Sequence, residues 1–400
     1  MVRTKKLLGW VLLTALFLFT PLVGAYANTC HCKKVKAAWI LIGPIGEYGW
    51  SYAHDMARRY VDKIFPWLET TSVQMVKEEE SPKVMEELIH EGYTVIFATS
   101  YGYGPYVLEL AKKYPNVLFF HCSGEKRAKN VATYFAELYQ LYYLNGLMAG
   151  ALTKSGIVGY VAAVPIPEVI RHINAFALGV KEANPNAVVK VKWLPSKKWV
   201  AEEEAKEATE ALIKEGADAI AFTEDTPSVV IAAEECYKKT GKRVYVFANY
   251  YPMLSYGPDV VLSGQLARWE VIYVDILSKI YSGYFNSTNL INVDYWWMLQ
   301  EGAVELGCDF GAPINPKFVP LLKSTYVNHP TFGKISVYDL VMTRLKQMKD
   351  RFSFDPFTGP IYDQHGKLRI KAGERASRAQ LWTMDWFVDN IVTPCPPIGF

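Results

Sequence analysis

Several short stretches of the sequence crowd aromatic rings, carboxylates and amides together. They are Gly43-Pro44-Ile45-Gly46-Glu47-Tyr48-Gly49-Trp50-Ser51-Tyr52, Thr99-Ser100-Tyr101-Gly102-Tyr103-Gly104, Pro165-Ile166-Pro167-Glu168, Glu224-Asp225-Thr226-Pro227, Asn249-Tyr250-Tyr251 and Arg268-Trp269, with Trp199 standing apart. Rings supply flat faces, and carboxylates and amides supply a hydrogen-bonding edge. Together they can hold a planar polar heterocycle. Glycines and a proline in the first stretch let the backbone turn tightly and approach a ligand. Gly49 also clears space in front of the Trp50 indole, which can then serve as an aromatic wall. The competing use of Tyr48, Trp50 and Tyr52 is to pack a helix onto a sheet. Asp225 can accept hydrogen bonds from ligand N–H or O–H groups; its competing use is a helix cap, which Thr226 before Pro227 supplies equally well.

Other chemistries lack their residues. The chain has no Gly-x-x-x-x-Gly-Lys-Ser/Thr phosphate loop, no Gly-x-Ser-x-Gly elbow and no His-Glu-x-x-His pair. Gly46-x-x-Gly49 lacks the third glycine of a dinucleotide loop. A nucleoside hydrolase would need an acidic cluster for calcium near the first strand, where only Glu47 and Asp55 occur. His54 and His172 read as surface or structural groups.

The pattern that must position these stretches alternates strands and helices. Strands are expected at residues 39–42, 73–76, 94–98, 117–120 and 131–134, and helices at 51–64, 81–91, 106–113 and 137–154. The rhythm restarts with strands at 157–161, 188–194, 219–222 and 244–248 and helices at 167–183, 202–214 and 227–239. Two successive α/β units of similar size predict two doubly wound lobes with a ligand cleft between them. The last third departs from this: 263–269 reads as a loop, 271–281 as a helix, 295–299 as a strand, 336–350 as a helix and 359–370 as a hairpin.

Four hundred residues, half of them hydrophobic and a fifth charged, suit two domains with a large core. Arg3, Lys5 and Lys6 contribute to the formal charge of +3. They open a segment with an apolar stretch at 7–19 and Ala25-Tyr26-Ala27, the pattern of a signal peptide spanning 1–27. The mature chain is then near neutral, which gives no support for nucleic-acid binding. A lipid anchor at Cys30 is the alternative, although Thr29 stands where a small residue is expected. Export permits disulfides, and Cys30 and Cys32 could tether the start of the chain to Cys395. Cys122 and Cys236 read as buried small hydrophobes.

A set of motifs is similar to the basic membrane protein family of ABC-importer solute-binding proteins: Gly43-Pro44-x-Gly46-x-x-Gly49-Trp50-x-Tyr52-x-His54-Asp55, Phe97-Ala98-Thr99-Ser100-Tyr101-Gly102-Tyr103, Gly159-Tyr160-Val161-Ala162-Ala163-x-Pro165-Ile166-Pro167-Glu168, and late in the chain Phe357-Thr358-Gly359-Pro360-Ile361 and Met384-Asp385-Trp386-Phe387-Val388. The resemblance implies the type I periplasmic binding protein fold, no catalytic activity and no cofactor or metal. It implies an extracytoplasmic, monomeric receptor for a purine base or nucleoside that serves an ABC permease of the inner membrane. A receptor feeding a membrane sensor is the alternative partner. The lobes would comprise 33–150 with about 265–300, and 151–264 with about 301–400. Carried over to this chain, Trp50 and Tyr101 would line the first lobe, Asn174, Trp199, Asp225 and Asn249 the second, and Trp269 the return crossing. The chain departs from the family pattern at Phe247-Ala248-Asn249, usually Gly-Tyr-Asp, and at Trp297-Met298, usually two glycines.

Overall fold

The computed structural model describes residues 34–46, 48–350 and 353–399. Alternating apolar runs and amphipathic helices fold in order as β1 (Val35–Ile40), α1 (Gly49–Ile64), β2 (Leu68–Val73), α2 (Ser81–His90), β3 (Val95–Ala98), α3 (Gly104–Lys113), β4 (Leu118–Cys122) and β5 (Val131–Ala136). A second run follows: α4 (Tyr139–Leu152), β6 (Ile157–Ala162), α5 (Pro167–Ala183), β7 (Val188–Trp193), α6 (Glu202–Lys214), β8 (Ala219–Thr223), α7 (Ser228–Thr240), β9 (Tyr245–Tyr250) and β10 (Val261–Ala267). The chain then returns through α8 (Trp269–Tyr281), β11 (Asp294–Trp297) and β12 (Val304–Leu306).

Two six-stranded sheets result. The first has the order β11-β5-β4-β3-β1-β2, parallel throughout. The second has the order β12-β10-β9-β8-β6-β7, with only β12 antiparallel. Helices cover both faces of such sheets, so β3, β4, β5 and β8 are buried along their whole length and read as continuous apolar runs. Among the described residues the chain crosses between the lobes three times: from β5 to α4, from β10 to α8 and from β11 to β12.

Two segments differ from the sequence expectation. The second strand is β2 at Leu68–Val73, ahead of the expected 73–76. It is an edge strand paired only with β1, so its Thr-rich, half-exposed face carries little apolar signal. Residues 263–269, expected as a loop, belong mostly to β10, whose Ser263 and Gln265 look like loop residues. Both are fully buried and hydrogen-bonded: Ser263 Oγ donates to the Pro313 carbonyl at 2.6 Å, and Gln265 Nε2 to Asn249 Oδ1 at 3.0 Å. Of the surface and structural roles expected for His54 and His172, the structural one holds: both are fully buried, with His54 Nδ1 2.6 Å from Tyr273 OH and His172 Nε2 3.0 Å from Glu137 Oε1.

After β12 the chain forms α9 (Val319–Ser324), the hairpin β13 (Tyr326–His329) and β14 (Gly333–Ser336), α10 (Val337–Asp350), the short pair β15 (Ile361–Tyr362) and β16 (Leu368–Ile370), and α11 (Arg378–Trp382). This tail wraps the second lobe. Arg344 of α10 donates to Glu182 Oε1 at 2.8 Å, and Ile391 bridges in parallel to Val189 at the β7 edge. Cys122 is buried and Cys236 half-buried, and among the described residues no disulfide joins any two of Cys122, Cys236, Cys308 and Cys395. The signal-peptide, lipid-anchor and Cys30 and Cys32 expectations lie outside the described residues.

Candidate functional site

The carboxyl ends of the parallel strands in the two sheets face each other, and a narrow slot lies between them. Ile42, Trp50, Thr99, Ser100, Tyr101 and Ser123 line it from the first lobe; Glu168, Trp199, Asp225 and Tyr250 line it from the second. The loops after β1, β3 and β4 supply the first set, with Trp50 in the first turn of α1. The second set comes from the start of α5, the loops after β7 and β8, and the end of β9.

Trp50 combines both roles weighed from its sequence context. Its indole is 6 % exposed, its Nε1 donates to the Thr99 carbonyl at 2.6 Å, and Tyr250 and Trp269 meet its ring edge-on at 5.0 and 5.1 Å. It is a slot wall and a core residue at once. Tyr250 and Ser123 hold backbone φ angles of 64° and 57°, in the left-handed region. Such conformations in non-glycine residues cost energy and gather at ligand sites, and here two of them face one slot.

Asp225 is buried, and its Oδ1 has no hydrogen-bond partner. It does not cap α7. Thr226 Oγ1 accepts the Ser228 N–H at 3.2 Å, and Glu224 Oε2 accepts that of Thr226 at 2.8 Å, which leaves the Asp225 carboxyl for the slot. Its backbone N–H donates to the Trp199 carbonyl at 2.8 Å, joining two lining loops. Burial, with a smaller contribution from the Glu168 charge, pushes the Asp225 carboxyl well above the usual range. Burial also raises Glu168, against the opposing pull of His172 and Arg171. Among the described residues, no Lys, Arg or His lines the slot. The nearby Arg171 is held by Glu137, whose Oε2 lies 2.8 Å from Nε and 2.7 Å from Nη2. Burial works to raise Glu137, but Arg171 and His172 outweigh it and hold the carboxyl at about 2.

The lobes meet tightly around the slot. Ser123 Oγ donates to Glu168 Oε2 at 2.9 Å, and Tyr48 OH to Glu202 Oε1 at 3.3 Å. Tyr52 lies edge-on to Tyr251 at 4.8 Å. Gly49, at φ 77°, lies so close to the Asp225 carbonyl that a Cβ there would overlap it. The slot's free volume, about 20 Å³, accommodates a water molecule. A guest larger than that requires the lobes to part.

Of the residues expected to bind ligand, Trp50, Tyr101, Trp199 and Asp225 come together here, whereas Asn174, Asn249 and Trp269 do not line the slot. Asn174 faces the C-terminal tail, donating to the Trp386 carbonyl at 2.7 Å and accepting from the Val388 N–H at 3.0 Å. Asn249 lies beneath the loop after β8: its Oδ1 accepts from Tyr142 OH and Gln265, and its Nδ2 donates to the Glu224 carbonyl at 3.2 Å. Trp269 stands behind Trp50 and stacks on His54 at 4.2 Å. The family resemblance pointed to Asn249, but successive strand residues point to opposite faces, and its neighbour Tyr250 takes the slot position. Glu168 was legible as the lone acid in a proline-rich strand-end loop. Ser123 had no such signal.

Comparison with known proteins gives a consistent family. The family model for the PnrA-like ABC transporter substrate-binding protein matches residues 34–320. A purine-binding protein of Brucella abortus is 32% identical over 91% of this chain and 95% of its own length. A putative ABC transporter glucose-binding protein of Haloferax volcanii is 35% identical over 71% of this chain and 69% of its own. Among solved structures, an ABC transporter solute-binding protein of Aeropyrum pernix superposes with a TM-score of 0.60 at 16% identity, over 78% of this chain and 86% of that one.

Proposed function

This chain belongs to the PnrA-like family of ABC transporter substrate-binding proteins, and from that premise we propose that it captures a purine base or nucleoside between its lobes for an inner-membrane ABC permease. The observation that carries this reading is the pairing of aromatic walls with two buried carboxyls in a slot whose described lining residues include no Lys, Arg or His. Trp50, Tyr101, Trp199 and Tyr250 offer faces and edges to a planar ring, while Asp225 and Glu168 accept hydrogen bonds from its N–H groups. A purine satisfies both requirements, and the similarity to the Brucella purine-binding protein supports the same class. In this reading the chain is an exported monomer without catalytic activity. The similarity to a putative glucose-binding protein favours a sugar as second reading, since carboxylates and aromatic rings also hold hydroxylated rings.

Mass spectrometry of the small molecule that co-purifies with the protein, followed by calorimetry with adenine, guanosine and glucose, tests the proposal. Binding of adenine or guanosine with micromolar or tighter affinity upholds it. Glucose binding with no response to either purine overturns it.

A further inference from the structure

The family match ends at residue 320, yet the chain beyond it reaches back to the ligand slot. Trp382 of α11 lines a small compartment with Tyr101, Ser123 and Glu168, the three residues through which that compartment joins the slot. Just after α11 the chain is fastened to the second lobe. Asn174 holds Trp386 and Val388, and Asn390 Nδ2 donates to the Ala177 carbonyl at 2.8 Å. On its other side α11 grips the first lobe: Arg378 Nη2 donates to Asp294 Oδ1 at 2.8 Å, Nη1 pairs with Oδ2, and the guanidinium lies 4.7 Å from the Trp296 ring. Trp382 meets Trp296 edge-on at 5.0 Å. Arg171 of the second lobe enters the same stack, 4.9 Å from Trp296 and 5.1 Å from Trp382.

A segment anchored on one lobe and hooked to the other opposes their separation. We propose that α11 and its flanks form a strap that restrains lobe opening, with Trp382 as an end wall of the ligand slot and Arg378 as a positioning residue acting through Asp294 and Trp296. The end-wall role rests on the slot being the ligand site; the restraint on opening does not. When lobes swing on hinge segments, a cross-lobe clasp favours the closed population and slows ligand escape more than entry.

Small-angle X-ray scattering of the unliganded full-length protein tests the restraint, and stopped-flow tryptophan fluorescence with adenine tests the wall. Arg378→Ala and Trp382→Ala should enlarge the radius of gyration without loss of far-ultraviolet circular dichroism, and Arg378→Lys should return it toward the parent value. Adenine dissociation should accelerate at least about fivefold in both alanine variants, with association within about twofold of the parent. Scattering curves of both alanine variants that superimpose on the parent's would overturn the strap. Unchanged dissociation in Trp382→Ala, in a parent that binds adenine, would overturn the wall. A parent that binds no adenine removes the basis for the wall, while the scattering result still decides the strap.

Discussion

At the scale of residues, the slot trades stability for recognition. An unpartnered carboxyl oxygen in a buried site is unfavourable until a donor arrives, and Asp225 Oδ1 is such an atom. Asp225→Asn keeps the shape and removes the charge. It should weaken purine binding by about 1.5–3 kcal/mol in calorimetry, the range for a charge-assisted bond, while raising the unliganded melting temperature at neutral pH. The pH dependence follows from the same raised carboxyls. A group protonated more readily in the fold than in the unfolded chain contributes stability in full below its ordinary value, and loses it as pH rises through the raised value. As pH rises above the ordinary carboxylate range, the unliganded parent should therefore lose more stability, or gain less, than Asp225→Asn does over the same rise. Trp50 carries a different balance. Trp50→Phe removes the Nε1 bond to Thr99 and should lower unliganded stability by about 1 kcal/mol as well as weakening binding, because one ring serves both core and slot.

At the scale of elements, two features decide whether the strand ends can meet. The first turn of α1 approaches the loop after β8 through Gly49, which has a positive φ and no room for a side chain. Gly49→Ala should leave each lobe folded but hold them apart. Calorimetry should give at least about a tenfold loss of purine affinity, about 1.4 kcal/mol, and ligand addition should no longer contract the protein in scattering. The second feature lies where β5 crosses to α4. Glu137 is buried between Arg171 and His172 of α5, so breaking the pair leaves a buried guanidinium uncompensated. Glu137→Gln should destabilise the protein by about 3–5 kcal/mol in denaturant titration. Its carboxyl is held low, so the sign is opposite to that of Asp225: this contribution is present above the ordinary glutamate value and fades as pH falls toward about 2.

At the scale of the whole molecule, the proposed site is complete only while the two lobes are together. Its walls come from both lobes, and Ser123 bonds Glu168 across the gap. Purine addition should therefore contract the protein in scattering and perturb tryptophan emission together, at the same ligand concentration. A fluorescence change without contraction would mean that the ligand enters an already closed slot.

The sequence alone determined the doubly wound lobes, because parallel strands buried on both faces must read as apolar runs separated by amphipathic helices, and the slot-facing loops, because a strand's carboxyl end is where such a sheet meets its ligand. It also brought Trp50, Tyr101, Trp199 and Asp225 into view by residue type. Only the tertiary structure separated these from Asn174, Asn249 and Trp269. A buried amide and a ligand-binding amide share one composition, and what distinguishes them is the partner each finds. For Asn174 that partner is a tail more than 200 residues away, and for Asn249 it is the Gln265 of a strand that looked like a loop. Tyr250 and Ser123 joined the slot for the same reason: a site lined from two lobes is defined by distances across the gap, which no local pattern encodes.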